Sequence, residues 1–184
     1  MKKIFSLIII VASLSTLLVC CGNDTSKTET INNKKTSVKE NIKTFEKGSE
    51  LESDNLDVKI KYIKFTEDIL PDNTKDFYTH YPADKGKVFL EIDTDVKNNN
   101  KQKILVEKIG RINVDYNNGY KYDGWLIPED SQTGFSYASI ESIDPLEKLG
   151  VRWVVNLPEE VEKSNKPLKI TLTIGDEQYI CNFR

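Results

Sequence analysis

From about residue 51 to residue 184 this sequence predicts an all-β sandwich of about seven or eight strands. Three observations carry that expectation. Runs in which apolar and polar residues alternate recur from Leu56 onward, and alternation is the period of a strand with one buried face. Clusters of Asn, Gly, Asp and Pro separate the runs, at the spacing of roughly 8–12 residues typical of sandwiches. No long amphipathic helical pattern interrupts them.

The chain opens on a different pattern. Lys2 and Lys3 precede an uncharged apolar run from Ile4 to Val19, closed by Leu18-Val19-Cys20-Cys21-Gly22. A charged start, an apolar middle and a small-residue end form a secretory signal peptide. The run of about 16 residues falls short of the roughly 20 needed by a spanning helix. Its end resembles the lipobox of bacterial lipoproteins, in which Leu stands three residues before a cysteine that is lipidated and becomes the new N-terminus. That resemblance makes residues 1–20 the signal and Cys21 the lipidation site, with Cys20 where Gly, Ala or Ser is usual. It implies a chain on the extracytoplasmic face of the cell membrane, since two acyl chains anchor stably where one does not.

Residues 21–50, beyond the lipidated cysteine, read as a flexible linker: Thr, Ser, Asn, Lys and Glu with few large apolar side chains. A coil of about 28 residues spans about 30 Å. Strand patterns then follow in order. Leu56, Val58, Ile60 and Tyr62 alternate with charged residues, and Ile63 and Phe65 break the parity, which predicts a bulge or a switch of sheet. Residues 67–86, with Pro71 and Pro82, form a connection long enough to suggest a functional loop. In 87–97, Val88, Leu90, Ile92 and Val96 point one way, and Phe89, Glu91, Asp93 and Asp95 the other. Residues 103–109, 110–116 and 120–127 follow, the last two around Asn117-Asn118-Gly119, a hairpin signal because Asn and Gly accept φ > 0. Weaker strand material at 135–143 leads to 149–157, where Val151, Trp153, Val155 and Leu157 share a face. After one possible helical turn around Glu159-Glu160-Val161, 168–174 and 178–183 close the chain as a hairpin. The candidate core is Val88, Leu90, Ile92, Val96, Ile112, Val114, Trp153, Val155, Leu157, Ile170, Leu172 and Ile180.

Charge narrows the choice of partner. Without Lys2 and Lys3 the chain keeps 24 basic against 29 acidic side chains, and no basic patch with interleaved aromatics, so nucleic acid is not an expected partner. With Cys20 removed and Cys21 lipidated, Cys181 is left alone and is expected to be buried in a strand.

Four segments together resemble a domain of unknown function found in Gram-positive lipoproteins. They are the strand Gly86-Lys87-Val88-Phe89-Leu90 through Val96-Lys97-Asn98, the hairpin Asp115 to Tyr122, the strand Trp153-Val154-Val155-Asn156-Leu157-Pro158, and the closing hairpin Leu168 to Phe183. Asn156 stands near where an aromatic is usual. The resemblance covers roughly residues 50–184 and implies an immunoglobulin-like sandwich shared with a secreted mycobacterial immunogenic antigen. It implies no reaction and no catalytic residue.

Candidate chemistry is sparse. Glu91, Asp93 and Asp95 share a strand face and could hold a cation, but successive steps of about 6.5–7 Å are wide for one ion, and pairing with Lys108, Arg111 or Arg152 is the simpler account. His80 is the only histidine, which disfavours zinc or copper, and no nucleophile elbow is present. No metal, cofactor or catalytic residue is expected. Phe77, Tyr78, His80 and Tyr81 form an aromatic loop, and Trp125 follows the hairpin; these are the candidate partner-binding residues. The expected function is a membrane-anchored lipoprotein whose domain binds an unknown protein or cell-wall partner without catalysis. The alternative is an enzyme or metal-binding protein of the cell envelope, which would gather several polar side chains with shifted pKa values in one pocket.

Overall fold

The computed structural model of the chain describes residues 43–53, 55–75 and 77–184; the signal segment 1–20, Cys21 and the linker as far as residue 42 lie outside them. The elements in order are β1 (Lys43–Thr44), β2 (Glu50–Ser53), β3 (Leu56–Thr66), β4 (Asp68–Ile69), β5 (Tyr81–Pro82), β6 (Lys87–Asn98) and β7 (Ile104–Leu105). A 3-10 turn (Val106–Lys108) leads to β8 (Gly110–Tyr116), β9 (Tyr120–Asp123), β10 (Trp125–Asp130), β11 (Gly134–Phe135) and β12 (Ser142–Ile143). Last come β13 (Lys148–Pro158), the helix α1 (Glu159–Lys163), β14 (Leu168–Ile174) and β15 (Glu177–Asn182).

The all-β sandwich is what forms. One sheet has the order β1-β15-β14-β8-β9 and the other β11-β10-β13-β6-β3-β2, while β4 pairs with β5 and β7 with β12. All these pairings are antiparallel except β1 with β15. The core is the meeting of two alternating faces. Val88, Leu90, Ile92 and Val96 of β6 and Val151, Trp153, Val155 and Leu157 of β13 pack in one cluster with Ile112 and Val114 of β8 and Ile170 and Leu172 of β14. A fully buried Val, Leu or Ile contributes about 1.5–3 kcal/mol, so this cluster is what holds the sheets together. Trp153 lies at its centre, with its indole N–H donated to Thr94 Oγ1 at 3.1 Å and the Thr94 hydroxyl donated on to the Val151 carbonyl at 2.8 Å. The one polar atom of the largest core side chain is thereby satisfied.

The parity break in the first long strand is a bulge. The register of β3 against β6 shifts between Ile60 and Tyr62, leaving Lys61 as the extra residue and returning Ile63 and Phe65 to the core side. Cys181 is buried in β15, and burial pushes its thiol pKa up, which favours the inert protonated form.

Several expectations need correction. Residues 43–50 are not linker: β1 pairs with Tyr179 and Ile180 of β15, Phe45 is buried in the main core, and β2 begins at Glu50. A single large apolar residue and a few backbone hydrogen bonds suffice to lay a polar segment along a sheet edge. Ile180 is not core, because the inward side chains of β15 are its neighbours Tyr179 and Cys181. Residues 120–127 are not one strand: β9 belongs to the first sheet and β10 to the second, and the chain crosses at Gly124. Residues 103–109 and 135–143 each keep only short two-residue ladders. At the hairpin, Asn117 and Asn118 take the positive φ, at 50° and 54°, and Gly119 instead donates its N–H to Asp115 Oδ1 at 2.8 Å. The helical turn after Pro158 is α1, as anticipated.

Candidate functional site

The long connection between β3 and β6 lies across the outer face of the second sheet. Register puts Arg152 of β13 beside Asp93 of β6 on one side and Ile127 of β10 on the other, with Glu91 two residues along β6. Outward-facing side chains of a sandwich are ordinarily wet. Here Glu91, Asp93 and Arg152 are wholly buried, because the loop covers them. An apolar cluster of Ile69, Phe89, Ile127, Phe135 and Val154, with Tyr81 and Ala83 against it, closes one side of the covered region.

Beneath that cover the charges are paired. Arg152 meets Glu91 at 3.0 Å, Glu129 at 2.7 Å and Asp72 of the loop at 2.7 Å, and also pairs with Asp93. The bulged Lys61 reaches Asp93 at 2.9 Å and Asp72 at 2.8 Å. Lys64 reaches Glu91 at 3.3 Å, and the Tyr62 hydroxyl donates to Glu91 at 3.0 Å. The acidic strand face therefore faces basic side chains of the same sheet. Of the three cations named from sequence, Arg152 is the partner; Lys108 pairs with its neighbour Glu107. Among the described residues no group of His, Cys, Asp and Glu is arranged to hold a metal ion. Asp95 is half-exposed and 3.9 Å from Lys61.

The pKa shifts follow from these positions. Burial pushes the Asp93 carboxyl up to about 6, with Arg152 and Lys61 pulling it back. Asp72 is shifted the other way: hydrogen bonding to Lys61 and the charge of Arg152 outweigh its partial burial and hold it below the usual carboxylate value. Arg152 is raised, the attraction of its carboxylates exceeding the penalty of burial. Because folded Asp93 binds its proton more tightly than the unfolded chain does, its contribution to stability is greatest below about pH 4 and falls as pH rises through about 6. Asp72 acts in the opposite sense, its contribution being lost only as pH falls below the ordinary carboxylate range. Asp93→Asn is expected to flatten the stability profile between pH 4 and 6 and leave the acid limb in place. Urea midpoints at pH 4, 5, 6 and 7 check this, and a profile parallel to that of the parent would assign the titration elsewhere.

Beside this network opens a cleft of about 400 Å³, lined by the loop residues Pro71, Asp72, Asn73 and Phe77, by Glu129 to Gln132 and Gly134, and by Lys148 to Gly150. Phe77 is 82% exposed at its edge. The other sequence candidates divide. Tyr81 is half-buried, pairs with Ile69 in the β4–β5 ladder and packs on Phe135 with ring centroids 5.8 Å apart. Tyr78 is half-buried and meets His80 edge-on at 6.0 Å. His80 is exposed and its Nδ1 lies 2.9 Å from both carboxylate oxygens of Asp68. Trp125 is 42% exposed on β10, edge-on to Phe89, and does not line the cleft. The structure thus brings Phe77 to the cleft and uses Tyr81 as packing.

Sequence reasoning missed Asp72, Glu129, Lys61 and Lys148. The pairing of Arg152 with the acidic strand face was legible, but its burial was not. Arg152 shares the outward face of its strand with Val154 and Asn156, a mixed pattern that does not by itself report a cover. An Arg buried in a strand needs buried acids, and Glu91 and Asp93 on the neighbouring strand supply them.

Comparison with known proteins adds the family. No protein-family model matches the chain, and no curated protein matches it. Among solved structures, an uncharacterized β-sandwich protein from Clostridium difficile 630 is 40% identical, with a TM-score of 0.75 over 78% of this chain and 95% of that one. A conserved hypothetical protein from Bacillus anthracis is 11% identical, with a TM-score of 0.47 over 70% and 89%; so distant a likeness adds nothing to the fold assignment. At 40% identity over nearly the whole of its relative, the chain belongs to the family of the Clostridium difficile β-sandwich protein.

Proposed function

We propose that the chain is an extracytoplasmic lipoprotein, anchored to the cell membrane through lipid on Cys21, whose immunoglobulin-like domain is a non-catalytic module that binds a protein or cell-wall partner. The resemblance to a lipoprotein domain related in fold to the mycobacterial antigen supports the placement. No helix among the described residues is long and apolar enough to cross a membrane. The observation that carries the binding role is Phe77: a large apolar ring, 82% exposed, held on a loop strapped to the sheet through Asp72. A ring left in water on a fixed loop is a ready anchor for a partner.

Two variants test this in a Gram-positive host expressing the full chain. Cys21→Ser is expected to accumulate as uncleaved precursor or to appear in the medium. Phe77→Ala, at an exposed position, is expected to fold normally and to reduce the partner recovered by crosslinking on intact cells by about tenfold or more, as loss of a hot-spot aromatic does. Retention of a processed, membrane-bound Cys21→Ser protein refutes the anchor. Undiminished capture by Phe77→Ala refutes the binding role.

A further inference from the structure

We infer that the cleft beside Phe77 takes a short saccharide bearing a carboxylate, with a sugar ring stacked on Phe77 and the acid group on Lys148. This names the ligand class of the binding module proposed above and rests on that reading. The argument starts from which groups of the cleft are already committed. Asp72 is held by Lys61 and Arg152, and Glu129 by Arg152 and by the backbone N–H of Asp72 at 2.9 Å. Asp130 accepts the N–H of Gln132 at 3.0 Å and both the N–H and the hydroxyl of Thr133, at 2.6 and 2.8 Å. The acids that give the cleft its formal negative charge therefore have partners inside the protein. A cationic ligand would have to compete with the buried Arg152 for Asp72 and Glu129, while Asp130 is held by neutral donors alone.

What remains uncommitted has another character. Lys148 has no carboxylate within 4 Å among the described residues. Ser131 offers a hydroxyl and Gln132 an amide, both exposed, and Asn73 offers its amide N–H₂ while its oxygen accepts the Lys75 N–H at 3.1 Å. Neutral donors and acceptors beside an exposed aromatic face suit a molecule with an apolar C–H face and hydroxyls at its rim, which describes a pyranose ring. An ammonium with no carboxylate within 4 Å among the described residues then selects an acidic sugar over a neutral one. The volume of about 400 Å³ lies within the range of small-ligand sites.

The test is equilibrium binding of fluorophore-labelled probes to the processed, lipidated protein in detergent micelles. The probes are a tetrasaccharide alternating N-acetylglucosamine with N-acetylmuramic acid, which carries carboxylates, the neutral N-acetylglucosamine tetrasaccharide, and hexalysine. The acidic saccharide is expected to bind about tenfold or more tightly than the neutral one. Phe77→Ala is expected to weaken both saccharides by about tenfold or more. Lys148→Gln is expected to bring the acidic saccharide down to the neutral level and leave the neutral one unchanged. Both positions are exposed, so melting curves of the variants should overlay the parent. Absence of saccharide binding, or binding indifferent to both substitutions, overturns the assignment. Hexalysine binding that depends on Phe77, without saccharide binding, also overturns it while leaving the module reading intact, as does Phe77-dependent capture on cells with no saccharide bound.

Discussion

Arg152→Met is expected to destabilise the sandwich by about 3–5 kcal/mol, the usual consequence of removing one member of a buried ion cluster. Met fills much of the same volume, so the loss isolates charge from packing. Glu91 and Asp93 are wholly buried and would keep only Lys64, Lys61 and the Tyr62 hydroxyl as partners, the two lysines part-exposed. Asp72 would keep Lys61 as its one ion-pair partner, and Glu129 would lose its guanidinium and keep the N–H of Asp72. Two further variants separate the terms. Adding Glu91→Gln and Asp93→Asn to Arg152→Met should recover a large part of the loss, because the penalty lies in buried carboxylates left without a counter-charge rather than in the missing guanidinium. Asp72→Asn, at the part-exposed rim, should cost about 1 kcal/mol or less, since exposed ion pairs contribute little. Urea unfolding of the parent and the three variants at one pH decides it. An Arg152→Met midpoint within about 1 kcal/mol of the parent would show that the cluster is not what pins the loop.

How legible this region was in the sequence depends on how local its cause is. The core strands were readable because alternation is local: Val88, Leu90 and Ile92 announce an inward face whatever they pack against. The bulge was readable because Ile63 and Phe65 violate the same local rule. The burial of Glu91 and Asp93 was not, because it is imposed by a loop whose Asp72 lies far away in sequence from Arg152. The edge strand β1 carried no strand period, since its two residues, Lys43 and Thr44, are both polar. In the binding loop, composition alone could not tell Tyr81, which packs on Phe135, from Phe77, which does not. The difference is set by the β4–β5 ladder, a two-residue pairing without a sequence period.

Gly124→Ala should cost about 3 kcal/mol, at the upper end of what overpacking a core costs. Gly124 is the single residue between β9 in one sheet and β10 in the other, and its N–H donates to the Ile112 carbonyl at 3.0 Å. A methyl group there would collide with the backbone carbonyl of Val154 and come within 2.6 Å of Ile112 Cγ2 and 2.7 Å of Val155 Cγ2. A side chain could rotate away, but the Val154 carbonyl cannot move without disturbing the central ladder of β13 against β10 and β6. Neither sheet can yield alone, because both contribute an atom to the clash. The requirement is therefore for space at the crossing and not for an unusual backbone angle. Gly119→Ala supplies the control: no atom lies within 4 Å of the added methyl, and φ there is not among the positive values of the chain, so its effect should stay within about 0.5 kcal/mol. Equal stability of Gly124→Ala and Gly119→Ala in urea would mean that the chain passes between the sheets by another route. A large gap between them would fix Gly124 as the position that lets one hairpin arm leave its sheet and become the neighbour against which β13, and with it Arg152, is set.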